Sequence, residues 1–121
     1  MSNRDNQILL AILEAIDKIF SYVQNIKNIK EFGINNQVLD ASLMNFVVIG
    51  ELANKLSNEF RNEITTIDWS AIKGFRNIIA HDYFGVNTEE VWQIIHNELP
   101  KLKKEIQNIV DLNGNIQRPM F

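Results

Sequence analysis

Apolar side chains recur along most of the chain at alternating steps of three and four residues, the spacing of one face of an α-helix. The first such stripe predicts a helix over residues 5–29. Its apolar members are Leu9, Ile12, Ile16, Ile19, Val23 and Ile26. Residues 30–33 are predicted to stop this helix, with Gly33 as its C-terminal cap.

A second helix is predicted over residues 36–56, and its middle, residues 43–53, is apolar on nearly every face. Such a helix is buried on several sides. In so short a chain, a second subunit is one source of this cover. Gly50 lies in the same stretch, where glycine costs about 1 kcal/mol relative to alanine. We therefore expect a close helix approach at Gly50.

The second half of the chain begins with a polar connection over residues 57–67. Asp68 is the predicted N-cap of a third helix, which ends between residues 81 and 84. The side chains expected to point inward from this helix are Ile72, Phe75, Ile78 and Ile79.

The last helix starts with a capping pattern, in which Asn87 is followed three residues later by Glu90. Pro100 lies inside its apolar pattern and predicts a kink or break near residues 98–99, because proline lacks the N–H that a helix requires. The helix is expected to end at residues 113–114.

These elements predict an all-α fold, a bundle of four to five helices with up-down connections. The 121 residues are expected to form one domain spanning residues 1–121. Residues 116–121 are a predicted frayed tail, in which Met120 and Phe121 are candidates for packing on a partner.

The composition argues against several kinds of functional site. The net charge of −3 argues against a broad phosphate-coating surface, but not against a small basic site. There are no cysteines and two histidines, and no metal-ligand spacing is present, so neither a metal nor a cofactor is expected. No segment predicts a signal peptide or membrane span, so a cytoplasmic protein with no membrane partner is expected.

An arginine, a histidine and a tyrosine interrupt the apolar pattern between residues 73 and 85. They are Arg76, His81 and Tyr83, spaced as Arg-x4-His-x-Tyr. On one continuous helix Arg76 and Tyr83 nearly eclipse, whereas Arg76 and His81 diverge by about 140°. Two arrangements would still bring the arginine and the histidine together: a helix that ends near Ala80, or a site assembled from two copies of the chain.

The same residues also have a plain structural interpretation. Arg76 is then a surface cation, and His81 is a helix-end residue whose ring bonds to a backbone carbonyl. A similar choice applies to Glu51, a polar residue within the apolar second helix. It either marks a solvent-facing edge, or it lies near Arg76 and orients the guanidinium.

Together these residues resemble one known family. The matching segments are residues 40–43, 49–53 with Ile-Gly-Glu, 67–69 with Asp-Trp, 76–86 with Arg-x4-His-x-Tyr, 91–92 and 99–100. In this order they resemble the HepT-like branch of the HEPN superfamily, from the first helix to about residue 109. The resemblance implies a four- or five-helix HEPN bundle that pairs as a homodimer.

The resemblance also implies a function and a partner. HEPN toxins are metal-independent ribonucleases, and HepT-like proteins act in type VII-like toxin–antitoxin systems. Their partner is an MNT-type nucleotidyltransferase antitoxin that silences the toxin by transferring AMP to the motif tyrosine. Arg76 and His81 match the family's catalytic pair, which faces a cleft at the dimer interface, and Tyr83 matches the modified tyrosine. Asn77 matches the polar residue after the arginine; Asp82 and Glu51 are further supporting candidates.

The chemistry itself favours RNA cleavage at such a site. A histidine can move protons near neutral pH, and an arginine offers paired donors to a phosphate. One histidine per chain supplies one proton-transfer role, so two His81 side chains in one dimer cleft would supply both. The alternative is a non-catalytic module that binds a nucleotide or scaffolds its nucleotidyltransferase partner, and the acidic net charge favours it slightly.

Overall fold

The computed structural model describes residues 1–117, with side chains through residue 112. None of residues 1–117 lies in a β-strand, so the predicted all-α fold is confirmed. The elements are α1 (Asn3–Val23), α2 (Ile29–Ile34), α3 (Asn36–Lys55), α4 (Asn58–Glu63), α5 (Trp69–His81), a 3-10 turn (Tyr83–Gly85), α6 (Thr88–Gln93), a π-helical turn (Ile94–Glu98) and α7 (Leu99–Gln117).

Helix starts are set by side chains that accept hydrogen bonds from the first free backbone N–H groups. Asp68 accepts a 2.9 Å bond from the Ala71 N–H, and Asn87 accepts a 3.1 Å bond from the Glu90 N–H. Both caps agree with the sequence prediction, and a cap of this kind is worth about 1 kcal/mol. The Asp68 cap thereby sets the start of α5, the helix that carries most of the motif.

The core lies where α3 packs against both α1 and α5, while α7 packs against α1. The predicted α1 stripe is at its centre, since Leu9, Ile16 and Ile19 are 0% exposed. Phe46 of α3 meets Phe75 of α5 edge to face, with ring centroids 5.0 Å apart. This contact fixes the relative position of the two helices that hold the motif.

The first predicted helix is too long. It ends at Val23 rather than at residue 29, and Ile29–Ile34 forms the separate helix α2. Asn28 starts α2 by accepting a 2.9 Å hydrogen bond from the Glu31 N–H. Gly33 therefore lies within a helix instead of ending one, because the Asn28 cap starts a new helix where a stop was predicted.

The predicted irregular connection over residues 57–67 contains the short helix α4. Ser57 caps it by accepting from the Phe60 N–H, and Phe60 is only 3% exposed. Asp5 of α1 accepts from the Ser57 N–H at 2.9 Å and from the Ser57 hydroxyl at 2.7 Å. Burial acts to raise the pKa of Asp5, but these hydrogen bonds bring it below the usual 3.8. A charged carboxylate thus ties α4 to α1.

One of the four α5 side chains predicted to point toward the core is exposed instead. Ile79 is 2% exposed, whereas its neighbour Ile78 is 57% exposed. Successive helical residues point about 100° apart, and α5 packs mainly against α3, so only part of its apolar circumference is covered. Ile78 remains on the uncovered part.

The C-terminal helix has a break before Pro100, as predicted, but it does not end where predicted. The break expected near Pro100 takes the form of the π-helical turn Ile94–Glu98, a common response to a local disturbance of helical hydrogen bonding. α7 then continues to Gln117, so the predicted end at residues 113–114 is wrong.

Of the predicted frayed tail, residues 116–117 are helical as part of α7, so the prediction is wrong for these two residues. Residues 118–121, including Met120 and Phe121, lie outside the described residues, so their predicted packing stays a prediction. Within the described part of the chain, no helix combines the length and apolarity needed to cross a membrane.

Candidate functional site

The motif is held by a close contact between α3 and α5. A Cβ atom added to Gly50 of α3 would lie 2.6 Å from the Arg76 Cγ atom and closer still to the Arg76 Cβ atom. No larger residue fits without moving one of the helices or Arg76 itself. The close approach predicted for Gly50 is therefore present, and it occurs at the arginine of the motif.

Arg76 is fixed by two neighbours. Its guanidinium forms an ion pair with the Glu51 carboxylate and donates a 3.2 Å hydrogen bond to the Asn77 side-chain oxygen. The Arg76 Nε atom is buried and has no hydrogen-bond partner among the described residues. Arg76 is thus an oriented, partly buried cation, with its side chain 32% exposed, rather than a mobile surface charge. Glu51 takes the position of the orienting partner considered from the sequence.

Tyr83 is held by a second carboxylate of α3. Its hydroxyl donates to the Asp40 side chain. Partial burial, together with the hydrogen bond to Asp40 and the negative charge of Asp40, raises the pKa of Tyr83 to about 12, because each disfavours the phenolate. Tyr83 is therefore a neutral phenol with a positioned oxygen.

Asp40 was not among the site residues inferred from the sequence, although a signal for it exists. Asp40 and Glu51 are eleven residues apart, about three helical turns, and therefore share one face of α3. Their partners Tyr83 and Arg76 follow in the opposite order along the chain, so α3 and α5 are antiparallel. Two carboxylates on one face of α3 therefore bind the first and the last residue of the motif.

His81 is the last residue of α5, and its side chain is exposed. Its ring makes no hydrogen bond or ion pair with any described residue, so the backbone carbonyl proposed in the plain structural interpretation is not bound there. Because α5 continues through His81, the turn of about 140° between Arg76 and His81 is retained. The helix end alone therefore does not bring the two side chains together within one chain.

Asp82 shapes the segment that follows. Its carboxylate accepts a 3.1 Å hydrogen bond from the Gly85 N–H and so caps the turn Tyr83–Gly85. A Cβ atom on Gly85 would lie 2.8 Å from the Asp82 Oδ1 atom and nearer still to Oδ2. This supporting candidate thus has a clear structural role, since it fixes the turn that carries Tyr83.

The second histidine lies away from the motif. The His96 Nδ1 atom is 2.8 Å from the Trp92 carbonyl oxygen, and the two rings are 4.1 Å apart. Within residues 1–112, no cluster of three or more histidine, cysteine, aspartate or glutamate side chains has the arrangement of a metal site.

A cavity of about 320 Å³ opens between α3, α5 and α7, on another side of α5. Its wall is mainly apolar and includes Phe46, Ile72, Phe75 and Leu102. Neither the arginine, the histidine nor the tyrosine of the motif lines it. The cavity is therefore not part of the candidate site.

The fold and the motif define a helical-bundle protein with an Arg-x4-His-x-Tyr element, and comparison with known proteins identifies its family. The family profile described as "Ribonuclease HepT-like" matches residues 12–109. The chain therefore belongs to the HepT-like family of the HEPN superfamily.

Individual relatives align over nearly their whole length. "Putative RNase MJ1380" of Methanocaldococcus jannaschii is 32% identical over 88% of this chain and 98% of its own. "Putative RNase MJ1216" of the same organism is 33% identical over 94% of this chain and 95% of its own. "Probable ribonuclease HepT" of Thermococcus cleftensis is 25% identical over 90% of this chain and 98% of its own. No solved structure matches the chain.

Proposed function

We propose that this protein is a metal-independent endoribonuclease that acts as the toxin of a type VII-like HEPN/MNT toxin–antitoxin system. Its site comprises Arg76 and His81 from both protomers of a homodimer. The observation that carries the proposal is the preorganised arginine: Glu51 and Asn77 hold the Arg76 guanidinium in one orientation on a close-packed helix pair. Membership of a family described as ribonucleases supports the same activity.

The proposed reaction needs no group beyond these side chains. One His81 takes the proton of the ribose 2′-hydroxyl as its oxygen attacks the adjacent phosphorus. The bond from phosphorus to the 5′-oxygen breaks, and the second His81, in its protonated form, donates a proton to that oxygen. Arg76 stabilises the added negative charge on the phosphoryl oxygens. The products are a 2′,3′-cyclic phosphate and a 5′-hydroxyl.

The exposed apolar surface of α3 and α5 supports the homodimer. Met44 is 60% exposed and Ile78 is 57% exposed, although both lie on helices that hold the site. Exposed apolar side chains beside a functional site are typical of interaction surfaces. Pairing through this surface would place two His81 side chains near one cleft, the second of the two arrangements considered from the sequence.

The Tyr83–Asp40 contact supports regulation by AMP transfer. An MNT-type nucleotidyltransferase would transfer AMP from ATP to the Tyr83 oxygen: the new O–P bond replaces the bond between the α- and β-phosphates, pyrophosphate leaves, and the phenol loses its proton. The Tyr83 hydroxyl must first release Asp40. The new phosphodiester then carries a negative charge beside the Asp40 carboxylate, where the two charges repel each other. It also occupies the side of α5 from which Arg76 would bind RNA, so the modified protein would lose its substrate site.

A second candidate function is a non-catalytic module that binds a nucleotide or scaffolds the nucleotidyltransferase. The Arg76–Glu51 ion pair favours it, because a neutralised arginine attracts phosphate less strongly. The net charge of −3 acts in the same direction. A phosphate that binds Arg76 must therefore compete with Glu51 or use the guanidinium donors that Glu51 leaves free.

The deciding experiment is cleavage of a mixed RNA by the purified protein in EDTA. Cleavage is expected from the parent protein and is expected to disappear in His81→Ala and Arg76→Ala. His96→Ala is the matched control, since it removes the exposed histidine that lies outside the motif, and it should retain cleavage. All variants are compared at equal folding and oligomeric state.

One result would contradict the role of His81, and another would contradict the nuclease itself. Cleavage retained by His81→Ala would exclude His81 as the proton-transfer group. Absence of cleavage by every protein, with Tyr83 shown unmodified by intact mass, would favour the binding module.

A further inference from the structure

Phe84 is the most exposed large apolar side chain in the described part of the molecule. It is 98% exposed, whereas Met44 and Ile78, on the neighbouring helices, are 60% and 57% exposed. Almost the whole side chain is therefore open to solvent. Nothing within residues 1–112 accounts for this position by packing.

The support beneath this ring is rigid. Phe84 is the central residue of the 3-10 turn Tyr83–Gly85, which Asp82 caps. The Tyr83 ring meets the Phe84 ring edge-on at 5.5 Å, and the Tyr83 hydroxyl is bound to Asp40. A turn with its own hydrogen bonds therefore positions the exposed Phe84 ring.

The ring also lies close to the proposed chemistry. Phe84 follows His81 by three residues, so their Cα atoms are at most about 11 Å apart. A base adjacent to a phosphate at His81 is thus within reach of the Phe84 ring.

Charge limits the other sources of RNA affinity. The protein carries a net charge of −3, and Arg76 is already paired with Glu51. Asp40 and Asp82 add negative charge on either side of Tyr83. Since attraction to phosphates is weak here, binding needs a contribution that does not depend on charge, and stacking of a base on an aromatic ring is such a contribution.

We propose that Phe84 is a stacking platform for an unpaired nucleobase beside the scissile phosphate. The assignment rests on the proposed ribonuclease function. Bases in a duplex are stacked on their neighbours and have no free face for the ring, so duplex RNA gains nothing from Phe84. Phe84 acts here as a specificity-determining residue and takes no part in proton transfer.

The test measures RNA binding without cleavage. His81→Ala serves as the parent, and its ligand is a single-stranded RNA oligomer that contains 2-aminopurine, whose fluorescence is quenched on stacking. Adding Phe84→Ala should weaken binding at least about fivefold and abolish the protein-induced quenching. Adding Phe84→Trp should preserve both, and duplex RNA should respond to neither change.

Two further readouts separate stacking from other roles. Phe84→Leu keeps an apolar side chain without a π face, and it should behave like Phe84→Ala. The salt dependence of binding should be the same with and without the Phe84→Ala substitution, because counterion release involves the phosphates only. The dimer content, followed by sedimentation, should not change in any of these variants.

Several outcomes would overturn the platform. One is unchanged RNA affinity in Phe84→Ala, and another is full RNA affinity in Phe84→Leu. A third is loss of the dimer as the main effect of either substitution, which would make Phe84 a contact between protomers. RNA cleavage is measured separately, with proteins that retain His81. Cleavage with Phe84-independent binding would overturn only the platform. Phe84-dependent binding without cleavage would overturn the nuclease and leave Phe84 as a base-stacking residue of an RNA-binding module.

Discussion

At the scale of single residues, the phenol of Tyr83 shows how one contact changes the properties of a side chain. Burial raises the pKa of Tyr83, and the Asp40 carboxylate, which accepts its hydrogen bond, adds to the rise; together they bring it to about 12 from the usual 10.0. Ionisation of the phenol would place two negative charges side by side. The contact therefore contributes stability in full below pH 10 and loses it as the pH rises toward 12.

Replacing Asp40 should release this constraint. In Asp40→Asn the pKa of Tyr83 is expected to fall toward 10, because the amide carries no charge to oppose ionisation. The measurement is an alkaline titration of tyrosinate absorbance. Tyr83→Phe is the control, since it leaves Tyr22 as the only tyrosine and allows its signal to be subtracted. An unchanged midpoint in Asp40→Asn would show that burial alone sets the pKa.

Sequence reasoning at this scale found some contacts and missed others. The Arg-x4-His-x-Tyr spacing led to Arg76, His81 and Tyr83, and a polar residue in an apolar helix led to Glu51. Asp40 was missed because it lies where α3 is no longer apolar all round, so its charge does not stand out. Only the shared face with Glu51, and then the tertiary contact with Tyr83, distinguishes it from a solvated carboxylate.

At the scale of helices, the distance between α3 and α5 is set by Gly50. Gly50→Ala is expected to lower the free energy of unfolding by about 1–3 kcal/mol, because the added methyl group overlaps the Arg76 side chain. Gly74→Ala is a matched control on α5, where an added Cβ atom meets nothing within 4 Å. It should be stabilising by about 0.4–1 kcal/mol, since alanine favours the helix.

Chemical denaturation of the two alanine variants tests this contrast. Equal stability changes in Gly50→Ala and Gly74→Ala would mean that helix propensity, and not the close approach, governs both sites. The clash also predicts that Gly50→Ala perturbs Arg76, so its RNA affinity should fall while Gly74→Ala binds like the parent protein.

The long helices were predictable and the short ones were not. α1, α3 and α5 carry apolar repeats long enough to reveal their period, and α5 has a clear Asp68 cap. The helices α2 and α4 have six residues each, too few for a period to emerge. They depend on Asn28 and Ser57 as caps and on tertiary burial, as in the Asp5–Ser57 contact, which a local pattern does not contain.

At the scale of the whole molecule, the proposed homodimer depends on the exposed surface of α3 and α5. Ile78→Glu places a charge within that surface and should convert the dimer to a monomer, because burying an unpaired carboxylate is costly. Cleavage of RNA should fall with it. The control is Ile34→Glu, since Ile34 is 74% exposed and belongs to α2, not to α3 or α5.

Sedimentation of the two glutamate variants tests whether this surface forms the dimer. Dimers in Ile34→Glu and monomers in Ile78→Glu are the expected results. A dimer that survives Ile78→Glu would place the contact surface elsewhere, and an active monomer would mean that one chain holds a complete site.

Mixed dimers test whether the two histidines act together. If one His81 is the base and the other the acid, a dimer of one parent chain and one His81→Ala chain has lost one of the two proton transfers. After subunit exchange in an equal mixture, activity should then fall to about a quarter of that of the parent protein at the same total concentration, whereas independent sites would leave about a half. His96→Ala chains in the mixture should cause no loss. Chains carrying both Ile78→Glu and His81→Ala should act only as a diluent, because they cannot exchange. A fall below one half that is caused by exchange-competent His81→Ala chains alone would therefore assign both proton transfers to one cleft between two protomers.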